Sequence, residues 1–73
     1  MDLYRQSKIK GDFNGWDDQM LFALDNGDIW EQARYRYRYK YSYRPNVKIF
    51  RDGGKYLLEV DGMDEMIEVR LVR

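Results

Sequence analysis

Between Arg34 and Arg44 the chain reads Arg-Tyr-Arg-Tyr-Arg-Tyr-Lys-Tyr-Ser-Tyr-Arg, the most regular run of chemically active side chains in the sequence. In an extended strand alternate residues share a face, so Tyr35, Tyr37, Tyr39, Tyr41 and Tyr43 line one side, and Arg36, Arg38, Lys40 and Ser42 line the other. At a rise of about 3.3 Å per residue the five rings span roughly 26 Å. Three uses fit this pattern. The apolar ring bodies can cover a core while the hydroxyls reach water at its rim. An exposed aromatic strand can pair with a second copy of the chain or with another protein. Finally, rings that stack on bases and cations that neutralise phosphates, here Arg36, Arg38, Lys40 and Arg44, suit single-stranded nucleic acid. Against the last use, a flat strand sends the rings and the cations in opposite directions.

The remaining residue types narrow the chemistry. The chain has no His, Cys or Thr, and its only serines are Ser7 and Ser42, so no nucleophile–base pair can be assembled. Acid–base work falls to Asp, Glu, Tyr or Lys. The closely spaced carboxylates Asp17/Asp18, Asp25/Asp28 and Asp64/Glu65 all lie in turn-like sequence, where Asp serves its own backbone. No calcium loop, P-loop or dinucleotide fingerprint is present, and the missing His and Cys remove the usual zinc ligands. An enzyme is therefore not expected, and neither is a metal or cofactor; a small hydrolase built from carboxylates and Tyr is the weakest reading. Of the two tryptophans, Trp30 follows a hairpin signal and reads as core. Trp16 sits beside Asn14-Gly15 and reads as a partly exposed candidate for a binding groove of the kind SH3-type domains use for proline-rich peptides.

The elements that hold these residues follow from length and patterning. Seventy-three residues make one domain, and at this size only about 60% of the unfolded chain's surface is buried on folding. Disulfides are excluded, so packing or self-association must supply the support. Formal net charge is zero but unevenly spread: residues 34–44 carry five cations and no acid, while residues 1–33 carry seven acids and three cations. A neutral whole argues against general nucleic-acid binding, although a local basic stripe survives that objection. No apolar run is long enough to span a membrane and the first residues lack a signal-peptide core, so a cytoplasmic location is expected.

Short runs of period two, divided by Gly and Asp/Asn clusters, predict an all-β domain. The runs fall near 8–13, 19–24, 29–33, 35–44, 46–50, 55–60 and 66–72, with 29–33 and 35–44 open to being one long bent strand. Asn14-Gly15 through Asp18 reads as a turn. Asn26-Gly27 reads as a type I′ hairpin turn, and Asp52-Gly53-Gly54 as a second hairpin. Pro45 closes the tyrosine run and biases Arg44 toward extended backbone. Residues 1–7 are set apart as an N-terminal extension that need not be ordered, and 8–73 as the single domain. A small closed barrel of five to six antiparallel strands suits the length, because closure removes exposed edges.

The segments Gly11-Asp12-Phe13-Asn14-Gly15-Trp16, Phe22-Ala23-Leu24-Asp25-Asn26-Gly27-Asp28-Ile29-Trp30-Glu31-Gln32 and Tyr37-Arg38-Tyr39-Lys40-Tyr41-Ser42-Tyr43-Arg44-Pro45-Asn46-Val47 resemble a group of small uncharacterised bacterial proteins, some encoded on mobile gene cassettes. Their pattern is roughly G-x-F-x-G-W, L-x-N-G-x-x-W-x-Q, Y-x-Y-x-Y-x-P-x-V and a closing V-x-G…V-x-V, and the resemblance covers about residues 9 to 72. It implies an SH3-like barrel with one long Tyr-rich strand, and it implies no activity. The sequence reading is a non-catalytic interaction domain that self-associates or binds protein through the strand 34–44, with a homodimer as the first expected partner. A single-stranded nucleic-acid binder is the alternative.

Overall fold

The computed structural model describes residues 1–73 as eight antiparallel strands without a helix: β1 (Asp2–Lys8), β2 (Asp12–Trp16), β3 (Leu21–Ala23), β4 (Ile29–Gln32), β5 (Arg38–Tyr43), β6 (Asn46–Asp52), β7 (Lys55–Val60) and β8 (Met66–Leu71). No helix is long and apolar enough to cross a membrane. Six strands form one sheet in the order β1-β6-β7-β8-β4-β3, and β2 and β5 form a separate two-stranded sheet. The single closed barrel of five or six strands expected from the sequence is therefore not what is seen. The ends of the six-strand order, β1 and β3, come together only at one isolated antiparallel bridge between Ile9 and Leu24.

Alternation places the core. Val47 and Ile49 on β6, Leu58 and Val60 on β7, and Ile67 and Val69 on β8 are buried at every second position, as the sequence pattern requires. They join Ile9, Phe13, Trp16, Phe22, Leu24 and Trp30 in one cluster. Each such side chain contributes about 1.5–3 kcal/mol by leaving water. Trp30 is wholly buried. The ring of Tyr4 stands edge-on to it at 6.3 Å and the ring of Tyr56 lies 5.1 Å away, with Tyr4 and Tyr56 themselves 4.9 Å apart.

Several local expectations change. Residues 1–7, set outside the domain on sequence grounds, supply β1, which pairs with β6 from Asp2↔Arg51 to Lys8↔Asn46. The run 8–13 is not one strand: Gly11 at φ +86° bends the chain between β1 and β2. Asn14-Gly15 is no turn but lies inside β2, where β2 advances from Phe13 to Gly15 while β5 steps from Ser42 to Tyr39. Gly15 holds φ +94°, and this break in alternation turns both Phe13 and Trp16 inward although they are three residues apart. A regular strand would send them to opposite faces. Only glycine fits, because a Cβ at position 15 would lie 1.9 Å from the Arg38 carbonyl oxygen.

The hairpin between β3 and β4 has a different turn from the one expected. Gly27 takes φ +96° whereas Asn26 does not enter the left-handed region. The Gly27 amide donates to the Leu24 carbonyl at 3.0 Å and the Leu24 amide to the Asp28 carbonyl at 2.9 Å. This is a four-residue turn, residues 24–27, whose last residue is the left-handed glycine, which also suits the strand twist. The Asp52–Lys55 hairpin closes on Gly53-Gly54 as expected. At the end of β5, Arg44 takes φ +49° despite the following proline, because the chain must turn there from one sheet into the other. Its amide donates to the Gly11 carbonyl at 2.9 Å, fixing the corner.

Candidate functional site

The tyrosine run does not form a single long strand. Only residues 38–43 belong to β5, and Tyr35 and Tyr37 lie in the connection that follows β4. All five tyrosines face water, with exposures from 52% at Tyr41 to 69% at Tyr35. The reading in which they cover the core is thus overturned. The reason lies on the inner side of β5, which is occupied by Arg38, Lys40 and Ser42. Arg38 pairs in register with Trp16 and Ser42 with Phe13, so the aromatic packing of that layer comes from β2. Phe13, Trp16 and Phe22 sit together with ring centroids 5.5–6.3 Å apart.

The cations of the stripe are engaged along one line. Arg34 Nε lies 2.7 Å from Glu68 Oε1, Arg36 Nη1 lies 2.7 Å from Glu65 Oε2, and Arg38 Nη1 lies 3.1 Å from Asp64 Oδ1. Lys40 Nζ donates to the Gly62 carbonyl. Residues 34, 36, 38 and 40 therefore meet 68, 65, 64 and 62 in antiparallel order, joined by side chains instead of a backbone ladder. Arg44 is paired with Asp25. Exposed pairs of this kind are each worth about 0–1 kcal/mol, so the line orients the segment more than it stabilises it. The hydrogen bond from Arg34 holds the Glu68 carboxyl below its usual range and raises the Arg34 guanidinium further.

Two polar contacts set the tyrosine segment in place. Gln32, almost fully buried, accepts from the Asp17 amide at 3.1 Å through Oε1. Its Nε2 donates to the carbonyl oxygens of Arg34 at 2.8 Å and Arg36 at 3.3 Å. One side-chain amide thus ties the end of β2 to the connection carrying Tyr35 and Tyr37. On the outer face the Tyr41 hydroxyl donates to Asp12 Oδ1 at 2.8 Å, and this bond to a carboxylate raises the Tyr41 phenol above its ordinary value.

The backbone of β5 has one free edge. The Arg44 amide points at Gly11, and the Arg38 carbonyl and the Lys40 amide crowd against Gly15, so the even-numbered residues face β2. By the alternation of an antiparallel ladder, the N–H and C=O groups of Tyr39, Tyr41 and Tyr43 point away from β2. β5 has no strand on that side.

Trp16 is not part of this surface. It is 1% exposed, and its indole N–H has no hydrogen-bond partner, which corrects the expectation of a partly exposed groove residue. The largest depression, about 350 Å³ and open, lies elsewhere and is lined by Gln6, Asn46, Val47, Lys48, Glu59 and Asp61. No group of three or more acidic side chains is placed to hold a metal ion.

No protein-family model, curated protein or solved structure matches the chain. Of the ten residues singled out in the sequence, Tyr39, Tyr41 and Tyr43 share the outer face of β5. Tyr35 and Tyr37 continue the exposed run outside the strand, Arg36, Arg38, Lys40 and Arg44 are held by their own chain, and Trp16 is core. Gln32, Asp12 and the acidic segment 61–68 were missed as positioning residues. The last had a visible signal: Asp61, Asp64, Glu65 and Glu68 put four acids and no cation in eight residues, a counterpart to the basic stripe.

Proposed function

We propose that this protein is a small non-catalytic interaction domain of SH3-like type that binds protein, in the first instance a second copy of itself, through the outward tyrosine face of β5. One observation carries the reading. Tyr39, Tyr41 and Tyr43 are each more than half exposed on one face of an edge strand, and Tyr is a residue that interfaces favour for its large area and polar tip. The SH3-like assignment is supported by the run of short antiparallel strands whose ends approach at Ile9 and Leu24, and by the resemblance of the motifs around Trp16, Gln32 and Pro45. Protein is favoured over single-stranded nucleic acid because Arg34, Arg36, Arg38 and Arg44 already have carboxylate partners. Phosphates would have to displace these.

Light scattering across a concentration series tests the proposal. The wild-type mass should rise from 9.0 kDa toward twice that value, with little dependence on salt. A variant carrying Tyr39→Ser, Tyr41→Ser and Tyr43→Ser should stay monomeric. A wild-type protein that remains monomeric at every concentration, or a triple variant that associates as well as wild type, overturns the reading. Tight, steeply salt-dependent binding of a single-stranded oligonucleotide would replace it with the nucleic-acid alternative.

A further inference from the structure

The free edge of β5 and the register of its tyrosines together specify how two copies would meet. Resting on the self-association reading above, we infer that β5 pairs antiparallel with β5 of a second copy about a two-fold axis at Tyr41, extending each two-stranded sheet into a four-stranded sheet in the order β2-β5-β5-β2.

The register follows from which groups are available. The outward backbone groups of β5 belong to Tyr39, Tyr41 and Tyr43, so an added strand must place its own outward groups opposite these. With the axis at Tyr41, Tyr41 faces Tyr41 of the second copy and Tyr39 faces Tyr43 of the second copy. Every one of these is a position that exchanges both N–H···O bonds with its opposite number. Moving the axis to Lys40 leaves Tyr43 unpaired and sets Lys40 against Lys40, a like-charge pair directly opposed. Moving it to Ser42 leaves Tyr39 outside the ladder. The axis at Tyr41 is the only one of the three that uses all three tyrosine backbones.

The side chains agree with this register on both faces. On the outer face the tyrosines of the two copies alternate into one continuous aromatic row, since opposed residues in a ladder point to the same side. On the inner face Arg38 comes opposite Arg44 of the second copy. Each arrives with its own carboxylate, Asp64 for Arg38 and Asp25 for Arg44, so two neutral ion pairs meet instead of two bare cations. Lys40 opposes Ser42, which carries no charge. An interface of this kind is isologous, the same patch being used twice.

The absence of cysteine makes the register directly testable by single-cysteine variants under mild oxidation. Opposed residues of a hydrogen-bonded antiparallel pair have Cα atoms about 5.5 Å apart, inside the range a disulfide bridges, whereas residues four positions out of register are about 13 Å apart, well beyond it. Tyr41→Cys should cross-link with itself to near completion. Tyr39→Cys and Tyr43→Cys should each stay free of cross-links alone and cross-link when mixed. A second measurement uses the unmodified protein: above the association midpoint the backbone amides of Tyr39, Tyr41 and Tyr43 should exchange at least roughly tenfold more slowly than in dilute solution. If light scattering shows a dimer but Tyr39→Cys or Tyr43→Cys cross-links alone, or those three amides gain no protection, the strand-pairing register is wrong while the interaction reading stands. If the protein is monomeric throughout, both fall.

Discussion

Tyr4 and Tyr56 share a residue type with Tyr39, Tyr41 and Tyr43, yet the two groups live in different surroundings. The first pair packs against Trp30, with the Arg5 guanidinium 4.3 Å over the Tyr4 ring. The second group is exposed on a strand whose inner side carries cations. Alternation settles which residues share a face, and it does so equally well in both places. It leaves open which face has another layer across from it. On β7 the inner face lies over the common core. On β5 the inner residues reach down to the carboxylates and carbonyl of 62–68, and the rings are left to the solvent.

The sharpest way to break this contrast is to remove one residue from each group. Trp30→Ala empties the centre of the buried group and should cost about 3–5 kcal/mol, against a total stability on the order of 5–15 kcal/mol for a domain. Tyr39→Ala should change stability by no more than about 0.5 kcal/mol. Urea denaturation of both variants measures the difference, and a cost above about 1 kcal/mol at Tyr39 would place that ring in the stabilising set after all.

A second, smaller effect separates the two sheets. Gly15→Ala must relieve both φ +94° and the contact with the Arg38 carbonyl, at a cost on the order of 1–3 kcal/mol. The loss should fall on the β2–β5 ladder, so the amides of Arg38, Lys40 and Ser42, which face β2, exchange faster while those of β6, β7 and β8 keep their protection. Uniform loss across both sheets would mean that they unfold as one unit.

The smallest effect concerns the line of ion pairs beneath the tyrosines. Because Arg34 lowers the folded-state pKa of Glu68, its stabilising contribution is complete above the unfolded carboxylate value and disappears as pH falls through the lower folded value. Glu68→Gln should therefore flatten a small part of the acid limb, below the ordinary carboxylate range, in a series of denaturation midpoints. An unchanged limb would mean that the pair is too solvated to orient anything.

Much of the fold was legible because period two is a local property. The inward faces at Val47 and Ile49, at Leu58 and Val60 and at Ile67 and Val69 all follow from it, as does the burial of Trp30. What escaped was non-local. β1 looked like an extension because Leu3 and Tyr4, its only large apolar side chains, are adjacent and set no period of two, and it becomes a strand only by pairing with β6. Asn14-Gly15 carries the composition of a turn, but Phe13 and Trp16 pull it into β2. The tyrosine run was visible at once, whereas its exposure depended on acids some thirty residues away and on Gln32, whose amide reads as an ordinary polar side chain until its three backbone partners are in place.

The pairing of β1 with β6 also sets a clock. β1 ends at Lys8 and its partner strand ends at Asp52, so β1 leaves the ribosome long before anything exists for it to join. At a synthesis rate of about 5–20 residues per second the interval is on the order of two to nine seconds. During that time β2, β3, β4 and β5 are made in between, and the β3–β4 hairpin can close by itself. Every nascent chain thus carries its first strand unpaired until its sixth is complete.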